Sequence, residues 1–459
     1  MSSIATHGIT QLDDYRWEIA REGGMRVPGV IFANRTLLDR MLSDRTFEQV
    51  KNAAHLPGIL EASIAMPDAH WGYGLPVGGV VATHETDGVI SPGAVGYDIG
   101  CGVRLLRSRL TRAQLAPHLD ALADALHRNV PCGVGSEGAL RLTKHELEDV
   151  LRRGAQWAVD QGYGTASDIE HCEERGVLDG AEPRTVSQAA RDRGGSQLGT
   201  LGLERGSVTV MIHCGSRGLG HQVCTDHVRG VSHKLAAWGI ALPDRQLACA
   251  PLGTAEATAY LGAMRAAANF AWANRQVIAH GVRKAFERIA RDAKLDARLT
   301  LVYDVAHNIA KFETHETSHG RVRCLVHRKG ATRAFPAGHR DVPADYRDIG
   351  QPVLVPGDMG RYSYVLAGRP GAMARAFGST CHGAGRQMSR TQAVRETKGR
   401  DLVQELRAQG VVVRYEGRDT LREEASEAYK DVAEVVRVCQ GADLAKPVAR
   451  LRPFVVVKG

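Results

Sequence analysis

No stretch of this chain approaches the ~18 consecutive apolar residues that a membrane-spanning helix requires. Its opening, M-S-S-I-A-T-H-G-I-T, lacks the charged-then-apolar layout of a signal peptide. A soluble, cytoplasmic protein is therefore expected. No C-x-x-C pair occurs, and the nine scattered cysteines, an odd number, fit reduced intracellular thiols better than a disulfide framework. Internal repeats, low-complexity tracts and a clear linker are missing as well. One unit over residues 1–459 is expected, with a solvated helical excursion at about 144–195. Aromatics are sparse at 5%, whereas glycines number 51. Without collagen-like periodicity those glycines read as turns and close backbone approaches. Acidic residues do not offset the basic ones: 59 Lys and Arg face 51 Asp and Glu, a net charge of +8. That balance favours an anionic partner such as nucleic acid or nucleotide phosphates.

The densest chemistry lies in V-G-Y-D-I-G-C-G-V, Val95 to Val103. Three glycines flank Asp98 and Cys101, which stand three apart, so a tight turn can aim an oxygen and a sulfur at one point. A hard carboxylate beside a soft thiolate suits a borderline divalent metal. The same residues also fit a glycine-rich turn whose cysteine is a small buried hydrophobe. Further along, a strand over Ser207 to Ile212 delivers His213, and a strand over Leu299 to Asp304 leads to His307 and Asn308. Both histidines stand at strand ends among small residues, where loop-borne sites form. With Asp98 and Cys101 they make a ligand set for Zn²⁺, Mn²⁺ or Fe²⁺, oxygen-rich sites favouring Mn²⁺.

His382 is different in kind. It precedes Gly383-Ala384-Gly385, a loop that lets backbone amides approach phosphate oxygens. Arg386 and Arg390 follow, four apart and on one face if a helix starts there, and two guanidiniums can clamp a phosphate. A histidine beside a phosphate cradle is either a nucleophile that forms a phosphoramidate or a hydrogen-bond donor to a bound anion. Asp68 and His70, in a loop after a strand beginning near Ile64, complete the polar inventory. Elsewhere Thr111 is read as the cap of a helix through Leu126, with Pro117 a possible true start. Thr254 to about Ala290 is read as one or two Ala-rich structural helices in which Asn274 and Arg275 form a satisfied face.

Taken in order, V-G-Y-D-I-G-C-G, G-T-L-G, I-H-C-G-S-R-G, A-H-N, P-G-D-M-G, C-H-G-A-G-R-x-M-S-R, E-A-Y-K-D and V-V-V-K-G resemble the RtcB RNA-splicing ligases from about Met66 to Gly459. The resemblance implies a mixed α/β fold of that family's distinctive type, built around a central metal and nucleotide pocket. It implies joining of RNA ending in a 2′,3′-cyclic phosphate or 3′-phosphate to RNA beginning with a 5′-hydroxyl, using GTP and two Mn²⁺ ions. Asp98, Cys101, His213 and His307 would be metal ligands, and His382 would carry the guanylate. Asn308, Pro356, Gly357, Asp358, Met359, Ser363, Gly383, Ala384, Gly385, Tyr429 and Lys458 would surround that guanylate. Arg386 and Arg390 would meet RNA phosphate, with Asp68 and His70 near the metals. Partners would be broken RNA, tRNA halves or damaged strands, and an archease-like activator.

One departure stands out. In the family, G-T-L-G is followed by a segment of the form G-x-G-N-H-F-x-E, with an asparagine for phosphate, a histidine for the second metal and a glutamate for guanine. Here Gly202 runs directly into Leu203-Glu204-Arg205-Gly206, roughly two dozen residues short of family spacing. Either a stretch of the natural chain is omitted or this member has lost half of its second metal site. His221 and His227 are expected on a following helix and are not obvious replacements. Two rival readings follow: a metal-dependent RNA cyclic phosphodiesterase, and a catalytically weakened RNA-end-binding protein.

Overall fold

Two sheets, antiparallel but for one parallel strand pair in the larger, meet at His307, and that seam places the candidate site. In the computed structural model, which describes residues 7–130, 140, 142–191 and 207–458, the larger sheet has seven strands. Their order is Ile9–Asp13, Arg16–Ile19, Gly29–Phe32, Ser63–His70, Val77–His84, Gly320–Lys329 and Asn308–Thr317. The smaller sheet has three, Thr300–Ala306, Gly102–Thr111 and Ser207–Cys214. The chain leaves the small sheet at Ala306 and enters the large one at Asn308, so His307 belongs to the junction. The class is mixed α/β, as expected.

The local readings hold where period and caps were strong. Thr46–Ala53 is a helix, and Lys144–Asp160 begins on a Thr143/Glu146 capping box. Thr111 caps a short helical turn, Pro117 breaks it, and the apolar stripe resumes in Leu119–Asn129. Ala255–Ala293 is one unbroken helix of 39 residues capped by Thr254.

That helix is Ala-rich for a packing reason. A Cβ on Gly100, whose φ is +69°, would lie 2.8 Å from Cα of Ala268 and from Cβ of Ala271. The turn that ends in Cys101 therefore lies directly on the helix backbone, which larger residues at either place would prevent.

The excursion at 144–191 is helical and keeps an exposed face, but two of its carboxylates are not solvated. Asp168 and Glu173 are only 3% and 1% exposed. Asp168 binds Arg283 with both oxygens at 2.7 Å, and Glu173 accepts the backbone N–H of Ala306 at 2.9 Å. A count of charges reads as surface; these carboxylates are buried because each has a cation or a strand-end amide to satisfy it. Residues 192–206, including the G-T-L-G segment and the shortened junction after Gly202, lie outside the described residues.

Candidate active site

Strand register brings three ligands to one sheet edge. Gly102 pairs with Cys214 on one side and Ala306 on the other, so Cys101, His213 and His307 all stand at the same end of the small sheet. Their ligand atoms lie within 4.8 Å of one another. The Nε2 atoms of His213 and His307 are 3.2 Å apart. Two nitrogens each about 2.1 Å from one ion stand about 3.0–3.4 Å apart at octahedral or tetrahedral angles, so the pair is spaced for a shared cation.

One buried guanidinium holds this edge together. Arg275 binds both oxygens of Asp304 and donates from Nη1 to Gly100 O at 2.8 Å and Cys214 O at 2.7 Å. It thereby ties the turn before Cys101, the end of the His213 strand and the His307 strand. Arg104 binds Asp304 from the other side at 2.7 Å. Asn274 Nδ2 donates to Gly215 O at 3.1 Å. Arg275 is thus a satisfied helix residue, as its neighbours in sequence implied, yet its partners are the ligand-bearing strands.

Burial sets the protonation of the ligands. It lowers the pKa of His307 well below the usual imidazole value, with nearby His382 and His213 adding to the effect. His213 shifts the same way, although its ring opens to the cavity and keeps some solvent. Both imidazoles are therefore neutral and offer lone pairs at neutral pH. Burial, then the Asp98 carboxylate, raises the Cys101 thiol well above its ordinary value. A bound cation would reverse that by displacing the proton. The donors fit a borderline divalent ion: one sulfur, two neutral imidazoles and a neighbouring carboxylate.

Asp98 is hydrogen-bonded to the Cys101 side chain and its Oδ1 accepts the Arg217 N–H at 2.7 Å, but it falls outside the close group of three donors. Among the described residues Cys101, His213 and His307 form the one group of three such donors. A second complete metal set is not assembled there.

The nucleophile candidate comes from the other sheet system. Ala331–Arg333 pairs with Ser379–Cys381 so that Ala331 faces Cys381, and the Ala331 N–H donates to His307 O at 3.2 Å. His382 follows and shares with Cys101, His213, His307 and Asn308 a cavity of about 320 Å³. Its Nδ1 lies 2.6 Å from Asp68 Oδ2, which also accepts the backbone N–H groups of His382 and Gly383 at 3.0 and 3.2 Å. The carboxylate faces Nδ1 at ion-pair distance and not in hydrogen-bond geometry, and a proton on Nδ1 would leave Nε2 with the lone pair. Gly385, φ +72°, packs on the Asp68 carbonyl so closely that a Cβ would come within 2.0 Å of its oxygen. The glycine after His382 therefore serves contact with the carboxylate strand.

The remaining expected residues form a second layer. Pro356 O accepts the Ala384 N–H at 3.0 Å, and Ser363 Oγ accepts the Gly357 N–H at 3.0 Å. Asp358 binds Arg361 and Ser426 at 2.5 Å each, while Met359 is buried. Tyr429 and Lys458 both reach Glu424, the hydroxyl at 2.7 Å and Nζ at 2.8 Å. Lys458 holds that carboxyl at about 2 against the opposing effect of burial. Asp68 contacts His382 and His70 accepts the Arg386 N–H at 3.4 Å, and burial lowers His70 to about 3.

Two residues that sequence reading passed over belong here. Glu424 gathers Arg386, Tyr429 and Lys458; as one more acid in a charged stretch it carried no signal. Lys329 lines the cavity, donates to the carbonyls of Tyr73, Leu75 and Gly93, and is lowered by burial to about 7.

The expected two-arginine face does not form. The helix starts only at Arg390, capped by Ser389. Arg386 precedes it and is spent on Glu424, the Tyr429 hydroxyl and the carbonyls of Glu423 and Met388. It also covers one face of the Tyr429 ring, 4.9 Å from the centroid. Arg390 alone stays open, its side chain 71% exposed and 3.6 Å from Glu423.

Comparison with known proteins places this arrangement. The family profile "tRNA-splicing ligase RtcB" matches residues 49–203 and 201–459. The tRNA-splicing ligases RtcB of Thermococcus kodakarensis and Archaeoglobus fulgidus are each 50% identical, over 98% of this chain and 99% of theirs. The RNA-splicing ligase RtcB of Mycobacterium tuberculosis is 49% identical over 90% of this chain and 100% of its own. The profile breaks at 201–203, where the family segment is absent. The Thermococcus alignment runs to 476 columns against 98% of a 459-residue chain, so roughly two dozen columns have no residue here.

Proposed function

The chain belongs to the RtcB family, and from that premise we propose that it is a GTP- and Mn²⁺-dependent RNA ligase acting through a guanylylated His382. The observation that carries the reading is the single cavity shared by His382, Cys101, His213 and His307. RNA with a 2′,3′-cyclic phosphate or 3′-phosphate is joined to RNA with a 5′-hydroxyl. Asp68 fixes the His382 tautomer, and Nε2 attacks the α-phosphorus of GTP; the N–P bond forms as the bond to pyrophosphate breaks. Water opens a 2′,3′-cyclic phosphate to the 3′-phosphate, and the guanylate then passes from His382 to that phosphate. Attack of the 5′-hydroxyl on that phosphorus expels GMP and leaves a phosphodiester.

Cys101, His213 and His307, with Asp98 turned toward them, would hold Mn²⁺, which neutralises phosphate charge when bound. Asn308, Gly357, Ser363, Gly383 to Gly385, Tyr429 and Lys458 line the guanylate site, with Pro356, Asp358 and Met359 supporting it. The net charge of +8 suits an RNA partner bound through its backbone. Arg390 is the phosphate contact left free. tRNA halves or damaged RNA in the cytoplasm are the substrates, with an archease-like activator as partner; no helix among the described residues is long and apolar enough to cross a membrane.

The absent segment after Gly202 favours one second reading, an RNA-end-binding protein with weakened or purely cyclic-phosphodiesterase activity. Incubation with α-labelled GTP and Mn²⁺ separates the two. The ligase reading expects covalent label that His382→Ala abolishes. A 3′-phosphate product without label supports the second reading, and label retained by His382→Ala removes His382 as nucleophile. Intact mass gives a further check: 49.6 kDa means a true deletion, a heavier chain an omitted stretch.

A further inference from the structure

Three rings lead from the cavity out to solvent, and none takes part in holding the cation or the nucleophile. Tyr73 and Tyr97 line the cavity beside Cys101 and His382. Their ring centroids are 4.9 Å apart. Beyond Tyr97 lies the imidazole of His221, 4.4 Å between centroids and only 19° from parallel. His221 is exposed on the helix Arg217–Ser232, and both tyrosines are half-buried. Trp71, two residues before Tyr73 on the same loop, is 47% exposed and one of four large apolar side chains left open among the described residues.

In a chain with only 5% aromatics, two tyrosines line this cavity and an exposed imidazole stacks on one of them. Single-stranded nucleic acid is held in this way: cations take the backbone, and ring faces take the bases without regard to their identity. We propose that Tyr73, Tyr97 and His221 form a stacking platform for a terminal base of the RNA, seating the nucleotide whose end enters the cavity. The proposal rests on the RNA-ligase reading for its ligand, and it extends that reading to how an RNA end is positioned regardless of sequence. The 3′-phosphate strand and the 5′-hydroxyl strand present the same chemistry, a base one sugar away from the reacting end.

The test uses the full chain without GTP and two short RNAs. One carries 2-aminopurine as the last nucleotide of a 3′-phosphate strand, the other as the first nucleotide of a 5′-hydroxyl strand. Stacking should quench the fluorescence of at least one probe several-fold on binding, and the quenched probe identifies the strand. His221→Ala and Tyr97→Leu should abolish the quench and weaken binding about tenfold. Tyr97→Phe should retain it, and an RNA abasic at that position should bind wild type no better than it binds the variants. His221 is exposed, so His221→Ala carries the test should Tyr97→Leu fail to fold. Absence of binding, quenching of neither probe, or a quench unchanged in both variants overturns the proposal. Guanylylation is read separately with labelled GTP, so loss of label with the quench intact counts against the ligase reading alone.

Discussion

Two polar centres lie on the small sheet, one buried and one opening to a cavity, and they differ in who satisfies them. In the first, Asp304 is bound by Arg104 and Arg275, and the spare donors of Arg275 close on backbone carbonyls. Every charge there is answered within the chain. In the second, one sheet edge away, His213 and His307 point nitrogens at each other, and His307 Nδ1 has no partner. The closed centre is scaffold. The open one has its donors unspent and its imidazoles neutral, the condition for receiving a cation and phosphate. Removing one partner from a closed buried network leaves an uncompensated charge, whereas removing a donor from the open one removes a cost the fold was carrying.

Asp304→Ala should give the largest effect, because it leaves two buried guanidiniums facing each other. A loss on the order of 3–5 kcal/mol is expected in chemical denaturation, with cation binding lost in parallel. His307→Ala should do the reverse. Metal-free stability should change by no more than about 1 kcal/mol, while Mn²⁺ affinity by calorimetry falls at least about 100-fold, the upper end of what outer-shell partners alone cost. Equal destabilisation by the two substitutions would erase the distinction between the centres.

Acid should separate them in a second way. Burial depresses His307 well below, and His327 to about 4 from, a normal value near 6.5, so the unfolded chain takes up those protons first. Their contribution is complete above pH 6.5 and is lost as pH falls toward the folded values. Carboxylates held down by cations, such as Glu174 at about 2 beside Lys311 and Arg333, contribute above pH 4.5 and are lost only below it. Unfolding free energy should therefore decline in two stages, the first of roughly 2–3 kcal/mol for each buried imidazole between pH 6.5 and 4. A single decline beginning near pH 4.5 would show that the imidazoles are not desolvated. The smallest effect belongs to Arg390→Ala, which touches neither centre: RNA binding should weaken a few-fold and the salt slope should drop by about one.

Much of the site was legible because residue type alone carries the chemistry. A thiol and a carboxylate inside a glycine turn, histidines at the ends of two apolar runs and a histidine before Gly-Ala-Gly single out candidate residues, three of which the fold brings together. Arg386 shows the limit. Spacing put it on a helix with Arg390, but the Ser389 cap starts the helix later, and Glu424, distant in sequence, claims the guanidinium. The solvated reading misplaced Asp168 and Glu173 for the same reason, since nothing near them in the chain announces Arg283 or the Ala306 amide.

The sequence by itself determined which side chains are chemically able to bind metal or phosphate and roughly where the strongly patterned elements run. Only the tertiary structure decided that Gly102, Cys214 and Ala306 share a register, that Arg275 ties the three ligand strands, and that Asp68 meets His382. Ligand identity is a property of single side chains. Whether a donor stays open or is consumed depends on partners far along the chain, and packing alone brings those together.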